Sequence, residues 1–348
     1  MKAIVYEKYG APDVVHLAEV AKPVARDNEV LIRIRATTVT TGDWRARSLN
    51  LPGGFSFMGR AVFGFFGPRQ PILGTELAGE IESVGKAVTR FKVGDQVFAF
   101  TGARYGGHAE YRAMREDGLI ALKPANLSFE EAASLSFGGT NALIFLRDKG
   151  RIKRGDQVLI VGASGNVGTA AVQIAKHFGA TVTAVCSSAN ADLVRSIGAD
   201  KVIDYTRQDF AKLGETYDIL LDTTGTASLA RSEPVLKTGG RLIVVQGTFA
   251  QALGLERPSK ASGKKVIAGV VSAKVEDMQL LAALAAKGEL KPVIDRSYPL
   301  ADAAQAHAYV ESGRKRGSVV LLVSAGPDTT SINLLNGAAP LQLSVMTR

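Results

Sequence analysis

VGASGNVGTAAVQIAKHFGA, residues 161–180, sets Gly162, Gly165 and Gly168 three apart where an apolar run, 158–161, gives way to a helical pattern. Gly162 and Gly165 allow a tight turn and close backbone approach, and Gly168 lets the next helix pack against the strand. Val167, Ala171, Ile174 and Phe178 recur at helical spacing and form its buried stripe. Strand, glycine turn and helix N-terminus together make a pyrophosphate cradle, with Ser164, Asn166 and Val167 beside the glycines.

Outward from this turn, apolar runs at 182–185, 201–203, 218–221, 241–245 and 265–268 alternate with helical stretches. That alternation predicts a doubly wound α/β domain on a parallel sheet of six strands. Upstream, from Lys2 to Asn126, the pattern is strands and turns. In 29–36, Val30, Ile32 and Ile34 share one face, and 74–85 and 95–100 read as further strands. Ser128 with Glu131 fits a capping box opening a helix that runs to about Leu146. Residues 302–312 read as a short helix and 318–323 as a strand returning to the first domain. From Ala325 to Arg348 no period survives, and the composition predicts a flexible tail.

The 348 residues carry 42 basic and 33 acidic side chains, a formal charge of +9 spread along the chain. No dense basic run interleaved with aromatics marks a nucleic-acid surface, so nucleic acid is not an expected partner. No apolar stretch approaches the roughly 20 residues of a membrane span. Strand-like sequence begins at Lys2 with no signal-peptide pattern, so a cytoplasmic protein with no membrane partner is expected. The single cysteine, Cys186, and four scattered histidines offer no conventional metal centre.

The strand after the glycine turn ends in Cys186, Ser187, Ser188 and Asn190, with no carboxylate before Asp192. Hydroxyls and a neutral amide accept a 2′-phosphate without repelling it, so NADPH is expected over NADH. Ser188 and Asn190 also suit the cap of the following helix.

Together with LVRSIGADKVIDY, YDILLDTTG and LGTELAGEIESVGKAVTRFKVGDQVFAF, the glycine stretch resembles the medium-chain dehydrogenase/reductase superfamily, in its zinc-free, zeta-crystallin-like quinone oxidoreductase branch. The resemblance implies a GroES-like β-barrel catalytic domain (1–126), a Rossmann NADP-binding domain (127–299), a return to the catalytic domain (300–324) and a tail (325–348). It implies that Thr40 and Thr75 stand where zinc alcohol dehydrogenases carry metal ligands, so no zinc is expected. It places Thr40 and Asp43 as catalytic candidates and Arg45 beside the nicotinamide; Trp44 and Phe63 are aromatic candidates to flank a planar substrate. By position it adds Thr140, Tyr205, Gly247, Thr248, Val270 and Val271 to the cofactor contacts.

Without a Lewis acid to hold an alkoxide, hydride transfer to a quinone or α,β-unsaturated carbonyl is the accessible chemistry. The expected function is therefore a zinc-independent, NADPH-dependent quinone reductase. Alternatives are an alkenal or enone double-bond reductase, and a non-catalytic protein that binds NADPH together with nucleic acid or a partner. The resemblance further implies a homodimer joined through the sixth strand, within 266–272.

Overall fold

The computed structural model describes residues 1–255 and 262–323. The expected tail, 325–348, lies outside these residues.

Six parallel strands build one sheet in the spatial order Lys201–Asp204, Thr181–Cys186, Gln157–Val161, Tyr217–Asp222, Leu236–Val244, Lys265–Ile267. Every predicted run of the doubly wound half is a strand of this sheet, and all its neighbours pair in parallel. In sequence rank the order is 3-2-1-4-5-6, so the winding reverses between Gln157–Val161 and Tyr217–Asp222, where a ligand crevice opens. The central strands are buried on both faces, with Val158, Ile160, Ile219 and Leu221 fully buried on one and Leu159 and Leu220 on the other.

The second sheet orders Ile294–Pro299, Ser318–Leu322, Glu29–Thr38, Glu76–Val84, Gln96–Phe100 and Ile120–Leu122, with Tyr111–Arg115 also on Glu29–Thr38. The strand Ser318–Leu322 runs antiparallel to Glu29–Thr38 by pairing Val320 with Thr38, so the chain does return to its first sheet. A GroES-like, mainly β half and a doubly wound half thus form the α/β architecture. No helix of the described residues is long and apolar enough to cross a membrane.

Two features differ from expectation. The first half also carries the helices Thr41–Ser48 and Ser56–Phe63. The first of these is opened by a reciprocal Thr40–Asp43 capping box, a threonine and an acid three apart. The helix expected from Ser128 to about Leu146 is two α-helices, Phe129–Ala133 and Ser136–Leu143, the second passing into a π-helical turn, Ile144–Lys149. Its capping box is present, but the Ser134 hydroxyl donates back to the Glu130 carbonyl at 2.9 Å, and the chain turns there.

A candidate dinucleotide cleft between the two sheets

The glycine turn lies at the carboxyl end of Gln157–Val161 and leads into helix Asn166–His177. Gly162 has φ +77°, the left-handed region that favours glycine. A Cβ on Gly168 would sit 2.2 Å from the Gly162 carbonyl oxygen, so the helix can approach the strand only with glycine there. The helix has Gly165 at its N-cap and no side chain closing its first turn, which leaves its leading N–H groups directed to the cleft.

The cleft encloses about 770 Å³ along the carboxyl ends of the parallel strands. Gly162, Ser164, Gly165, Asn166 and Val167 form its floor. Cys186, Ser187, Asn190 and Tyr205 close one end, and Thr223, Thr224, Val245 and Gln246 the middle. Asn190 donates to the Ser164 hydroxyl at 3.1 Å and to the Ser187 hydroxyl at 3.2 Å, joining the glycine turn to the end of the next strand. Its own buried Oδ1 has no partner, an acceptor left for a ligand hydroxyl. Burial pushes the Cys186 thiol up to about 11, so it carries no thiolate at neutral pH.

Several anticipated residues stand elsewhere. Thr140 is fully buried and donates to the Ser136 carbonyl at 2.7 Å within its own helix, while Phe137 and Asn141 face the cleft in its place. Ser188 is exposed outside the lining. Thr248 caps the short helix Phe249–Ala252, and Gly247 lies against Ala268, so Val245 and Gln246 carry that part of the wall. Val270 projects into solvent and Val271 packs on the core. Phe63 packs against Tyr105 at 6.2 Å.

On the β side, Thr41, Gly42, Trp44 and Arg45 reach the cleft surface, whereas Thr40 and Asp43 lie buried behind it. Asp43 accepts from the Thr40 N–H at 2.8 Å, the Thr40 hydroxyl at 2.6 Å and the Gly74 N–H at 2.9 Å. Its carboxylate is thus spent on clamping the helix start to Gly74, and the Thr40 and Thr75 hydroxyls meet each other at 3.0 Å. Arg45 crosses the cleft to the Gln246 side chain, whose amide donates to the Thr223 carbonyl at 2.7 Å.

Two contributions were given no role by the sequence motifs. Asp222, fully buried at a strand end, accepts from the N–H groups of Thr224, Gly225 and Ala227 and from the Thr224 hydroxyl, shaping the loop that lines the cleft. The return segment also reaches the glycine turn. The Gly317 N–H donates to the Ser164 carbonyl at 2.8 Å and Asn166 donates to the Ser318 hydroxyl, bringing Arg314, Lys315 and Arg316 into the lining.

Glu76 is fully buried beneath this junction, accepting from the Thr38 hydroxyl and from the Phe137 N–H at 2.5 Å. Burial pushes its carboxyl up to about 8, against the lowering effect of those two hydrogen bonds. The unfolded chain releases this proton near 4.5 and the folded chain holds it to about 8, so rising pH across that window favours unfolding. Wild-type protein is expected to lose about 4 kcal/mol through this group over the window. Glu76→Gln, neutral at every pH, is expected to flatten the profile in urea titrations at pH 5.5 and 8.5. Parallel profiles for the two proteins would refute the assignment.

Residues 26–124 match the model of the alcohol dehydrogenase GroES-like domain, and residues 197–321 that of the zinc-binding dehydrogenase family. The chain is 34% identical over 333 residues to the 2-methylene-furan-3-one reductase of Solanum lycopersicum, covering 92% of this chain and 79% of that one. It is 31% identical over 337 residues to the chloroplastic NADPH-dependent alkenal/one oxidoreductase of Arabidopsis thaliana, with the same two coverages. The structure of the quinone oxidoreductase from Coxiella burnetii superposes with a TM-score of 0.81 at 29% identity, over 93% of this chain and 99% of that one. With this sheet order, this cleft and these relatives, the chain belongs to the medium-chain dehydrogenase/reductase superfamily of enzymes, in its quinone oxidoreductase branch.

Proposed function

We propose that this enzyme reduces a quinone or an α,β-unsaturated carbonyl with NADPH and without zinc. The observation that carries it is the meeting, in one cleft, of an uncapped helix N-terminus, three basic residues of the return segment and a strand end with no carboxylate among its cleft residues. The relatives named as alkenal/one oxidoreductase and quinone oxidoreductase support the acceptor class.

When bound, NADPH supplies the hydride. The N–H groups of 165–167 take the pyrophosphate, with Arg314, Lys315 and Arg316 as countercharges. Ser187 and Tyr205 bring hydroxyl donors to the 2′-phosphate end, and the neutral Asn190, whose amide hydrogens go to the Ser164 and Ser187 hydroxyls, stands there without the charge of the carboxylate of an NAD site. Trp44, Arg45 and Phe137 wall the opposite end, narrow the approach to the reacting ring and exclude water. Thr40 and Asp43 serve here as positioning residues that fix the helix bearing Trp44 and Arg45. Where zinc enzymes of the superfamily hold metal, this chain offers two hydroxyls bonded to each other, a donor pair that suits no zinc ion. Among the described residues no three histidines, cysteines or acids cluster.

Domain limits of 1–126, 127–299 and 300–324 follow this division of labour except at one boundary: the strand Ile294–Pro299 pairs with Ser318–Leu322 in the second sheet, so the return to the first half begins near 294 and not at 300. The sixth strand, Lys265–Ile267, lies at the sheet edge and suits pairing with a second copy, which light scattering at the monomer mass would refute. Cytoplasmic residence completes the proposal, and fractionation tests it.

The deciding experiment follows NADPH and NADH oxidation with an ortho-quinone, a para-quinone and an enal, and NADP⁺ reduction with a primary alcohol. Turnover of quinone or enal, faster with NADPH and indifferent to a chelator, is the expected result; alcohol oxidation abolished by the chelator would overturn it. Asn190→Asp is expected to raise KM for NADPH about tenfold by setting a carboxylate at the 2′-phosphate, with NADH little affected. Equal changes for both cofactors would remove Asn190 from that role.

A further inference from the structure

The stretch between Trp44 and Thr75 contains no aspartate or glutamate and four arginines, of which Arg45 is bonded to Gln246 and Arg47 is buried against Glu311, leaving Arg60 and Arg69 exposed. Its helix Ser56–Phe63 exposes Phe57 (77%), Met58 and Val62, and the turn that follows exposes Phe65 and all of Phe66. These side chains are apolar, fall between 57 and 66 and are turned to water, where a helix on a globule ordinarily hides such residues.

The turn is built to hold them out. Gly64 has φ +128°, and a Cβ there would lie 2.0 Å from the Gly67 carbonyl oxygen. Tyr9 ties the turn down by donating to the Gly64 carbonyl at 2.9 Å. Arg60 donates to the Phe65 carbonyl at 3.0 Å and Arg69 to the Val62 carbonyl at 3.4 Å, so two exposed guanidinium groups sit among the exposed rings. Phe57 and Phe65 pack edge to face at 6.0 Å and present one aromatic surface.

The patch also borders the cleft. Phe249 donates its N–H to the Gly53 carbonyl at 3.0 Å and meets Phe55 edge to face with ring centres 5.4 Å apart, joining the two halves at the rim, and Leu253 and Leu255 continue the exposed apolar edge beyond it.

Bulky apolar tips interleaved with arginine on an acid-free segment match a surface of anionic phosphate headgroups over hydrocarbon. A second copy across a two-fold axis fits less well, because each arginine would face arginine with no carboxylate of the segment to meet it. The +9 charge of the chain adds a long-range attraction of the same sign. We infer that the face formed by the helix Ser56–Phe63 and its following turn docks on an anionic lipid bilayer and opens the cleft toward acceptors dissolved in it. The contact is peripheral and needs no span. It rests on the reductase reading and deepens it, naming the substrate class as quinones or enones with long apolar tails.

Full-length protein is mixed with sedimentable vesicles of phosphatidylcholine, with and without a quarter of phosphatidylglycerol, alongside the double variant Phe57→Gln, Phe66→Gln. Both positions are exposed, so folding is expected to survive, as melting and NADPH titration will read. Partition is expected to favour the anionic vesicles, to weaken in about 0.5 M salt, and to fall about tenfold or more in the variant. The variant is expected to keep its rate on a short-chain soluble quinone and to lose about tenfold on a long-tailed quinone carried in vesicles. Turnover of soluble quinone without vesicle binding by the wild type would overturn the docking and leave the reductase standing. Vesicle binding without turnover of any acceptor would do the reverse. A dimer that the double variant dissolves, with no vesicle binding, would make the face a self-contact and overturn the inference.

Discussion

Asp222→Ala is expected to lower stability by about 4 kcal/mol and to weaken NADPH binding together with it. The buried carboxylate of Asp222 gathers three backbone N–H groups and one hydroxyl, with donor distances of 2.7 to 3.1 Å. Alanine removes the one acceptor these donors share, the Ala227 N–H being buried with it, and each donor left buried without a partner costs about 1–3 kcal/mol. The loop 223–227 then loses the shape that brings Thr223 and Thr224 to the cleft wall, so the affinity falls as well as the melting temperature. Asp222→Asn keeps one acceptor oxygen and is expected to fall between the two proteins in both readings. Thermal melting and fluorescence titration with NADPH read the pair of effects. An alanine variant melting within about 2 °C of wild type would show that the loop holds itself without the carboxylate.

Two glycines three residues apart are expected to separate folding from binding. At Gly168 a methyl group meets the Gly162 carbonyl oxygen at 2.2 Å and Ala163 at 2.7 Å, backbone on both counts. Gly168→Ala must therefore push helix Asn166–His177 off the sheet, at about 3 kcal/mol in stability and roughly a hundredfold in NADPH affinity. At Gly165 the nearest atom is 3.5 Å away and the residue lines the cleft. Gly165→Ala is expected to fold at nearly wild-type stability and still bind NADPH poorly, because its methyl group occupies the path of the phosphates. Equal melting temperatures for both variants would remove Gly168 from its packing role.

The parallel sheet was legible because its signals are local. An apolar run of five residues, a glycine turn and a 3.6-residue stripe fix a strand–helix unit without reference to the rest of the chain, and each such run is a strand here. The helix Thr41–Ser48 also had a local signal, its Thr40–Asp43 cap, but the segment carries too few apolar residues for periodicity to show it. The break at Ser134 turns on one hydroxyl choosing a carbonyl four residues back, which no pattern of hydrophobicity encodes.

The site was less legible, because its parts come from distant segments. Asp43 is a catalytic candidate by the family resemblance; only the distance to the Gly74 N–H shows that it is occupied. Thr140 and Asn141 are neighbours whose side chains leave the helix about 100° apart, so a one-residue shift decides which of them meets a ligand. The basic run 314–316 reads as an ordinary exposed loop until the pairing of Gly317 with Ser164 folds it over the glycine turn.

That last contact gives the cleft a place in time. Its floor is laid by residues near 165, but the cations over it belong to 314–316, and the strand that holds them, Ser318–Leu322, completes the sheet begun by Glu29–Thr38. During synthesis the glycine turn emerges about 150 residues before the segment that covers it. A nascent or truncated chain that stops short of residue 314 thus carries the dinucleotide motif without the finished site, and ligand binding reports that the sheet of the first half has been closed by the last described strand of the chain.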